Sequence, residues 1–303
     1  MKKFLRIADF IFILFLALAF TLPSVAKAHS TYLVGLISIT WIIFVGARIF
    51  GKSSEKVIVL GDALMVVYIF LLLWELATSK FAWLDKFLYP TPGVVIKLFI
   101  DDMPFLLKGL ASSSGLLVGG FGLALITAIP MGLYFGYKKR LKLAAKPFAK
   151  ILGPIPPIVY IPYAIAVLPT FRAASIFIIF LGAFWPIFIN TLNGVSDIDK
   201  KIMDSARMLN LNDRQMLLSV ILPGSISAIM SGATIGLSFS FILLTSAEMI
   251  GATSGMGWHV KYFSDFADYP RVIVGILFIG IVVTIITFFF DKLEKYLLRW
   301  RKT

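Results

Sequence analysis

Long apolar segments joined by short polar connections make up most of this chain. A helix needs about 20 mostly apolar residues to cross the hydrocarbon core of a bilayer. Eight segments approach or exceed that length, at residues 4–22, 32–50, 57–78, 110–137, 148–168, 173–193, 225–247 and 272–290. Glycine or proline interrupts several of them. The pattern therefore predicts a series of membrane-spanning helices.

The composition supports this prediction. Of the 303 residues, 59% are hydrophobic and only 15% are charged, and the mean hydropathy is +0.92. A single soluble core could not bury so much apolar surface. We predict an all-α, polytopic membrane protein with about eight transmembrane helices.

The distribution of basic residues predicts the orientation, because Lys and Arg close to a span are retained in the cytoplasm. With the N-terminus inside, 21 of the 29 Lys and Arg residues fall in inner segments. We therefore expect a multi-pass protein of a bacterial-type inner membrane with both termini cytoplasmic. The net charge of +13 then reflects topology and attraction to membrane lipid, and nucleic acid is not an expected partner.

The first segment has two interpretations. Lys2 and Lys3 precede an apolar run that is followed by Ala26-Lys27-Ala28, which resembles the cleavage site of a signal peptide. The run is also long enough to remain as a span. Cleavage would not change the predicted topology downstream.

The motifs of common enzymes are absent from the sequence. It contains no G-x-x-x-x-G-K-[ST] phosphate loop, no Gly-x-Ser-x-Gly elbow and no cysteine. Its two histidines, His29 and His259, lack the spacing of a metal site. We predict no catalytic residues, metal or cofactor, so any ATP-driven work requires another subunit.

Two features inside the apolar segments are candidates for a transport pathway or gate. Pro156 and Pro157 interrupt the fifth segment, and freed carbonyl groups are tolerated there only against protein or a water-filled cavity. This favours a pathway lining and a structural kink about equally, with Asn190 and Asn193 as polar neighbours at the cytoplasmic mouth. Glu248 follows Thr245 and precedes a glycine-rich turn. We expect Glu248 either to act in gating or to stabilise that turn.

A polar interruption at residues 204–223 predicts a short helix, a turn and a second helix that re-enters the bilayer at Pro223. Such a segment suits contact with a soluble partner. Its expected apolar surface consists of Ala206, Met208, Leu209 and Leu211. Its expected polar groups are Asp204, Arg207, Asn212, Asp213 and Arg214.

This interruption resembles the pattern E-A-A, three residues, G, nine residues, I-x-L-P of permease subunits of ABC-type importers. Asp204 stands at the glutamate, Ser205 and Ala206 at the alanines, and Asn210 at the glycine, and every spacing is kept. Because the turn needs a left-handed backbone, Asn is the best replacement for Gly. Residues 153–157, 181–187 and 247–252 look like the branch that imports nitrate, sulfonate, taurine and bicarbonate.

The resemblance implies a six-helix type I importer permease at residues 57–303, with a core at about 105–295 and a coupling loop at 197–223. Residues 1–56 would add two transmembrane helices. The implied partners are cytoplasmic ATP-binding subunits, an extracytoplasmic solute-binding protein and a second permease copy in a homodimer. In that assembly a small solute crosses the permease, and ATP hydrolysis occurs on the partner chain.

Two other functions are compatible with a polytopic chain. An ion-coupled secondary transporter would need carboxylates near the bilayer midplane and inverted repeats, and the sequence shows neither. A membrane scaffold without transport activity would show no cargo-stimulated ATP hydrolysis after reconstitution with its partners.

Overall fold

The structure is a computed structural model that describes residues 7–21, 30–50 and 54–299. The predicted cleavage sequence at residues 26–28 lies outside these ranges. All regular elements of the described residues are helical. The first seven α-helices are α1 (Ile7–Thr21), α2 (Ser30–Phe50), α3 (Ser54–Glu75), α4 (Pro92–Asp101), α5 (Met103–Tyr137), α6 (Lys139–Leu152) and α7 (Ile161–Val167). The remaining six are α8 (Phe171–Ser196), α9 (Lys200–Met208), α10 (Asp213–Gln215), α11 (Leu222–Gly251), α12 (Met256–Asp265) and α13 (Tyr269–Leu297).

The all-α, multi-pass prediction is confirmed, but the count of eight spans is not. Six helical segments of the described chain are long and apolar enough to cross a membrane: Ser30–Ile49, Val57–Lys80, Met103–Tyr137, Phe171–Ser196, Asp213–Gly251 and Tyr269–Leu297. The predicted fifth span is a helix pair bent by 74°, which makes seven if the pair counts as one span. Helix α1 has 15 residues within the described range, which is short for a span.

The chain divides into two compact units, Met1–Pro104 with Tyr262–Ile276, and Phe105–Lys261 with Leu277–Thr303. In the first unit, α1, α2 and α3 pack through Phe12, Phe15, Ile37 and Tyr68. The ring of Phe12 stacks on Trp41 with a centroid separation of 4.6 Å. These apolar and aromatic contacts form the core of the first unit.

A buried ion pair joins α1 to α2 inside this unit. The guanidinium of Arg48 lies 2.8 Å from the carboxylate of Asp9. Trp41 Nε1 also donates a hydrogen bond to Asp9, at 3.1 Å. Charged groups inside apolar segments are costly unless they are paired, and this pairing explains how Asp9 is accommodated.

In the second unit, α8 and α11 make an extensive helix contact. A Cβ placed on Gly232 of α11 would lie 2.8 Å from the Pro186 carbonyl oxygen of α8. A Cβ on Gly194 of α8 would lie 2.5 Å from Ala228 of α11. Only glycine permits these approaches, and small residues are the usual means of close helix packing in lipid. The two helices therefore pack as one hairpin, with residues 197–221 as its connection.

Candidate functional site

We call residues 197–223 the coupling segment. Its first helix, α9, begins after Asp199, whose side chain accepts a hydrogen bond from the Lys201 amide at 2.9 Å. This is an N-cap. The helix ends at Met208, and Asn210 then has a φ of +52°. The left-handed conformation predicted for Asn210 is confirmed, and it reverses the chain between the two helices of the segment.

The second helix begins with a capping box. The Asn212 side chain accepts from the Gln215 amide at 2.8 Å, and the Gln215 side chain accepts from the Asn212 amide at 3.0 Å. These reciprocal bonds satisfy two amides that have no partner within the helix. The helix begins at Asp213 and continues through Met216–Ile221, which forms a π-helical stretch.

Pro223 lies in the first turn of a helix, as predicted, although helical backbone already begins at Asp213. Regular α-helical bonding resumes at Leu222, so Pro223 lies in the first turn of α11 but directly after the π-helical stretch. Proline lacks an N–H to donate to the preceding turn. The wider π-turn, in which the Leu222 amide bonds the Leu217 carbonyl, accommodates this break without ending the helix.

The apolar residues of the coupling segment face in two directions. Met208 and Leu209 are 84% and 73% exposed, whereas Ala206 is only 5% exposed. Ala206 packs into an internal cluster with Met216 and Ile221. The prediction that Ala206 belongs to the exposed surface is therefore wrong, because this face of α9 rests on the protein's own second helix. Leu211 is half-buried at the edge of the same cluster.

Charged groups hold the segment in place. Arg207 pairs with Asp204 on the exposed face of α9 at 3.2 Å. Asp213 accepts hydrogen bonds from Tyr137 at 3.0 Å and from Lys138 at 2.6 Å. The bond to Asp213 raises the pKa of Lys138 above its usual value. These contacts tie the start of the second helix to the end of α5.

A shallow groove of about 400 Å³ runs beside α9. Ser205, Leu209 and Leu211 contribute to its walls. Met208 is not a wall of the groove but follows Arg207 directly on the exposed end of α9. The segment thus presents two exposed apolar side chains at a concave surface, and the Arg207–Asp204 ion pair belongs to the same helix.

The proline-rich break separates α6 from α7. Pro156 is extended, Pro157 begins a 3₁₀ turn that ends at Tyr160, and the two flanking helical parts are bent by 74°. A pocket of about 570 Å³ lies at this break. Lys146, Lys150 and Asn193 line it, whereas Pro156 and Pro157 do not.

Asn190 is held by its own helix. Its side-chain amide donates to the Pro186 carbonyl at 2.8 Å. Its Cβ also faces Gly232 of α11 in the close helix contact. Asn190 is half-buried, so its described contacts belong to helix packing, and Asn193 is the asparagine that reaches the pocket.

At the other end of the second unit, Glu248 bonds a loop to α5. The carboxylate is 1% exposed. It accepts from Ser113 Oγ at 2.6 Å and from the Gly257 amide at 2.7 Å. Ser113 Oγ also accepts from the Met256 amide at 2.9 Å. The carboxylate therefore caps the start of α12, where an anion is favoured by the helix dipole.

We call residues 252–255 the outer loop, since it lies at the end of the α8–α11 hairpin opposite the coupling segment. Gly255 has a φ of +136°, and a Cβ there would collide with the Glu248 carboxylate. A Cβ on Gly257 would lie 2.5 Å from the Thr245 carbonyl oxygen. The Thr245 hydroxyl itself bonds the Phe241 carbonyl of its own helix at 3.0 Å. The contacts of Glu248 match the turn-stabilising alternative stated above.

Ser113 is the one residue of this network that the sequence analysis missed. It belongs to a run of three serines within an apolar segment, which was the only available signal. Its partner lies 135 positions away, so the pairing depends on the fold.

The chain matches the family model described as "Binding-protein-dependent transport system inner membrane component" over residues 120–302. It is similar to a putative ABC transporter permease protein of Methanocaldococcus jannaschii, with 28% identity covering 83% of this chain and 95% of the relative. It is also similar to the putative aliphatic sulfonates transport permease SsuC of Bacillus subtilis, with 31% identity covering 61% of this chain and 67% of the relative. For the nitrate import permease NrtB of a Synechocystis species, the identity is 29% and the coverages are 58% and 64%.

The fold is similar to a chain of the MetNI methionine ABC transporter in an inward-facing conformation. The TM-score is 0.57 at 18% identity, covering 65% of this chain and 98% of that chain. At this identity the likeness concerns the fold alone.

These findings define the class as a multi-pass permease of an ABC transport system. The chain belongs to the family of binding-protein-dependent transport system inner membrane components. The resemblance to the nitrate and sulfonate branch is thereby confirmed, and none of the comparisons favours a secondary transporter.

Proposed function

We propose that this chain forms the translocation pathway of an ATP-driven importer for a small solute such as an alkyl sulfonate or nitrate. The solute class follows the relatives named for aliphatic sulfonates and nitrate. The coupling segment is the observation that supports the proposal. Its capped helices and its left-handed turn fix the backbone around Met208 and Leu209, and both of these apolar side chains are exposed.

The proposed assembly contains two copies of this chain, two cytoplasmic ATP-binding subunits and an extracytoplasmic solute-binding protein. ATP hydrolysis takes place on the partner subunits. The coupling segment and both termini face the cytoplasm in this arrangement, as the distribution of basic residues favours. Residues 1–56 are an accessory pair of helices, and residues 57–303 form the permease domain.

Coupling begins when Met208 and Leu209 insert into a groove of the ATP-binding subunit. Asp204 and Arg207 fix the register of α9, while Ser205 and Leu211 lie at the groove beside it. Ala206 and Asn210 act indirectly, since the first rests on the protein's own core and the second sets the turn. Pro223 belongs to the path by which movement of α9 reaches α11. At the far end, Glu248 and Thr245 hold the outer loop, whose displacement would open the pathway.

The test is Met208→Glu in the chain co-expressed with its ATP-binding subunit. Burial of a methionine side chain contributes about 1.5–3 kcal/mol, so its loss weakens association by about 10- to 100-fold. The measurement is the dissociation constant of the purified pair in nanodiscs. Leu293→Glu is the control, since Leu293 is an exposed apolar residue near the end of α13 and outside the coupling segment. Association that is equally strong in Met208→Glu and Leu293→Glu would refute the docking assignment.

A further inference from the structure

A second concave surface lies at the outer end of the hairpin. Its volume is about 310 Å³, and its walls come from α5, the start of α8 and the outer loop. Arg172, Ser112, Thr253 and Ser254 supply its polar groups. No carboxylate belongs to the described lining. The pocket therefore combines one fixed positive charge with three hydroxyl groups.

The guanidinium of Arg172 is available for a ligand. Arg172 is exposed, and among the residues that the structure describes it has no hydrogen-bond or ion-pair partner. This distinguishes it from Arg271, which pairs with Asp102 at 2.7 Å, and from Arg48, which pairs with Asp9. A planar guanidinium with free donors is the side chain best suited to bind an oxyanion through two parallel hydrogen bonds.

The hydroxyl groups converge from separate elements. Ser112 Oγ of α5 lies 2.9 Å from Ser254 Oγ of the outer loop. Thr253 stands beside Ser254 on the same loop. A tetrahedral or trigonal oxyanion offers several acceptor oxygens in different directions. The Thr253 hydroxyl, and whichever of Ser112 and Ser254 accepts the bond between them, can donate to oxygens that Arg172 does not reach.

Space for the ligand depends on Gly115. A Cβ on Gly115 would meet only the Arg172 guanidinium, at 3.8 Å. A side chain at this position would therefore point into the pocket without striking another helix. The volume of 310 Å³ lies at the lower end of the range for small-molecule sites, about 300–1,000 Å³, and it suits a small solute.

We propose that Arg172, Ser112, Thr253 and Ser254 form an oxyanion site at which the permease itself receives a sulfonate-like or nitrate-like solute. This inference rests on the proposed import function and assigns part of the selectivity to the permease. The site includes the outer loop, which the bonds of Glu248 and Ser113 hold against α5. Displacement of that loop would separate Ser254 from Ser112 and release the solute.

The first experiment measures binding of ethanesulfonate to the full chain in nanodiscs by saturation-transfer NMR, with nitrate as competitor. We expect a saturable signal that nitrate displaces. Arg172→Gln should weaken binding by about tenfold or more, because a charge-assisted hydrogen-bond pair is lost. Gly115→Leu should abolish binding while the thermal unfolding midpoint stays close to that of the wild type. Lys108→Gln should bind normally, since Lys108 is an exposed cation of α5 that does not line the pocket.

Three results of the binding measurement would each overturn the site. They are no binding to the wild-type chain, equal binding by Arg172→Gln and wild type, and unimpaired binding by a folded Gly115→Leu variant. Loss of binding-protein association in Arg172→Gln without any ethanesulfonate binding to the wild type would also overturn it. That result would assign the pocket to a carboxylate side chain of the binding protein.

The second experiment separates this site from the proposed function. ATP-dependent uptake is measured in vesicles that contain the permease, its ATP-binding subunits and the binding protein. Normal uptake by Arg172→Gln refutes the site and leaves the import function standing. Ethanesulfonate binding without any ATP-dependent uptake by the wild type supports the site and refutes the import function.

Discussion

Removal of the Glu248 carboxylate should release the outer loop. In Glu248→Ala, the Ser113 hydroxyl and the Gly257 amide lose their acceptor, and the carboxylate that they bind is 1% exposed. A buried donor without a partner costs about 1–3 kcal/mol. Water that enters the vacated space offsets part of this cost, so we take about 2 kcal/mol as the net loss.

The expected result is faster local opening of the loop. A loss of about 2 kcal/mol raises the open population, and hence the exchange rate of the Met256 and Gly257 amides, by about 30-fold. Hydrogen exchange of the purified chain in nanodiscs, followed by mass spectrometry of the peptide over residues 252–258, measures this rate. The peptide over α6 should exchange at the wild-type rate, because α6 does not contact the network.

Two variants make the comparison specific. Glu248→Gln keeps one acceptor oxygen but turns an NH₂ group toward the other donor, so its effect should be smaller than that of the alanine variant. Glu294→Ala removes a half-buried carboxylate near the end of α13 and should leave the loop unchanged. Wild-type exchange of residues 252–258 in Glu248→Ala would refute the reasoning, as would an equal acceleration in α6.

Two further substitutions test the hairpin and the turn. Asn210→Val should destabilise the chain by about 1–2 kcal/mol, because the φ of +52° disfavours a β-branched residue. Asn210→Gly should not, and SDS-titrated unfolding of both variants measures the difference. Gly232→Leu should lower the thermal unfolding midpoint and the yield of folded protein, since even its Cβ would lie 2.8 Å from the Asn190 Cβ. Gly122→Leu is the control, because nothing lies within 4 Å of a Cβ there, and equal behaviour of these two variants would contradict the packing argument.

The spacing of apolar segments was sufficient to predict the class of fold, and the resemblance to the permease pattern was sufficient to predict the left-handed turn of the coupling segment. Apolar segments of span length predict helices because the bilayer leaves backbone groups no other partners. Asn210 was predictable because its conformation depends on the local backbone alone. The number of spans could not be predicted as well. An apolar segment such as 148–168 does not reveal whether its prolines bend the helix or end it.

The direction in which a residue faces depends on distant partners. Ala206 lies on the same short helix as Met208, yet it is buried against Ile221 while Met208 is exposed. The sequence alone could not predict that Ala206 is buried and Met208 is exposed. Likewise, Glu248 was recognisable as an unusual carboxylate, but Ser113 became its partner only through the packing of α5 beside the outer loop.

The close packing of α8 and α11 prevents the two helices from moving independently of each other. The 26 residues of α8 extend over about 39 Å, and the glycine contacts at Gly194 and Gly232 leave no room for the two helices to slide past each other. A displacement of α9 is therefore expected to tilt both helices together. In the assembly proposed above, a movement that the ATP-binding subunit imposes on Met208 and Leu209 would be transmitted along the hairpin to Glu248 at its opposite end, and the amplitude there would depend on where along the hairpin the pivot lies.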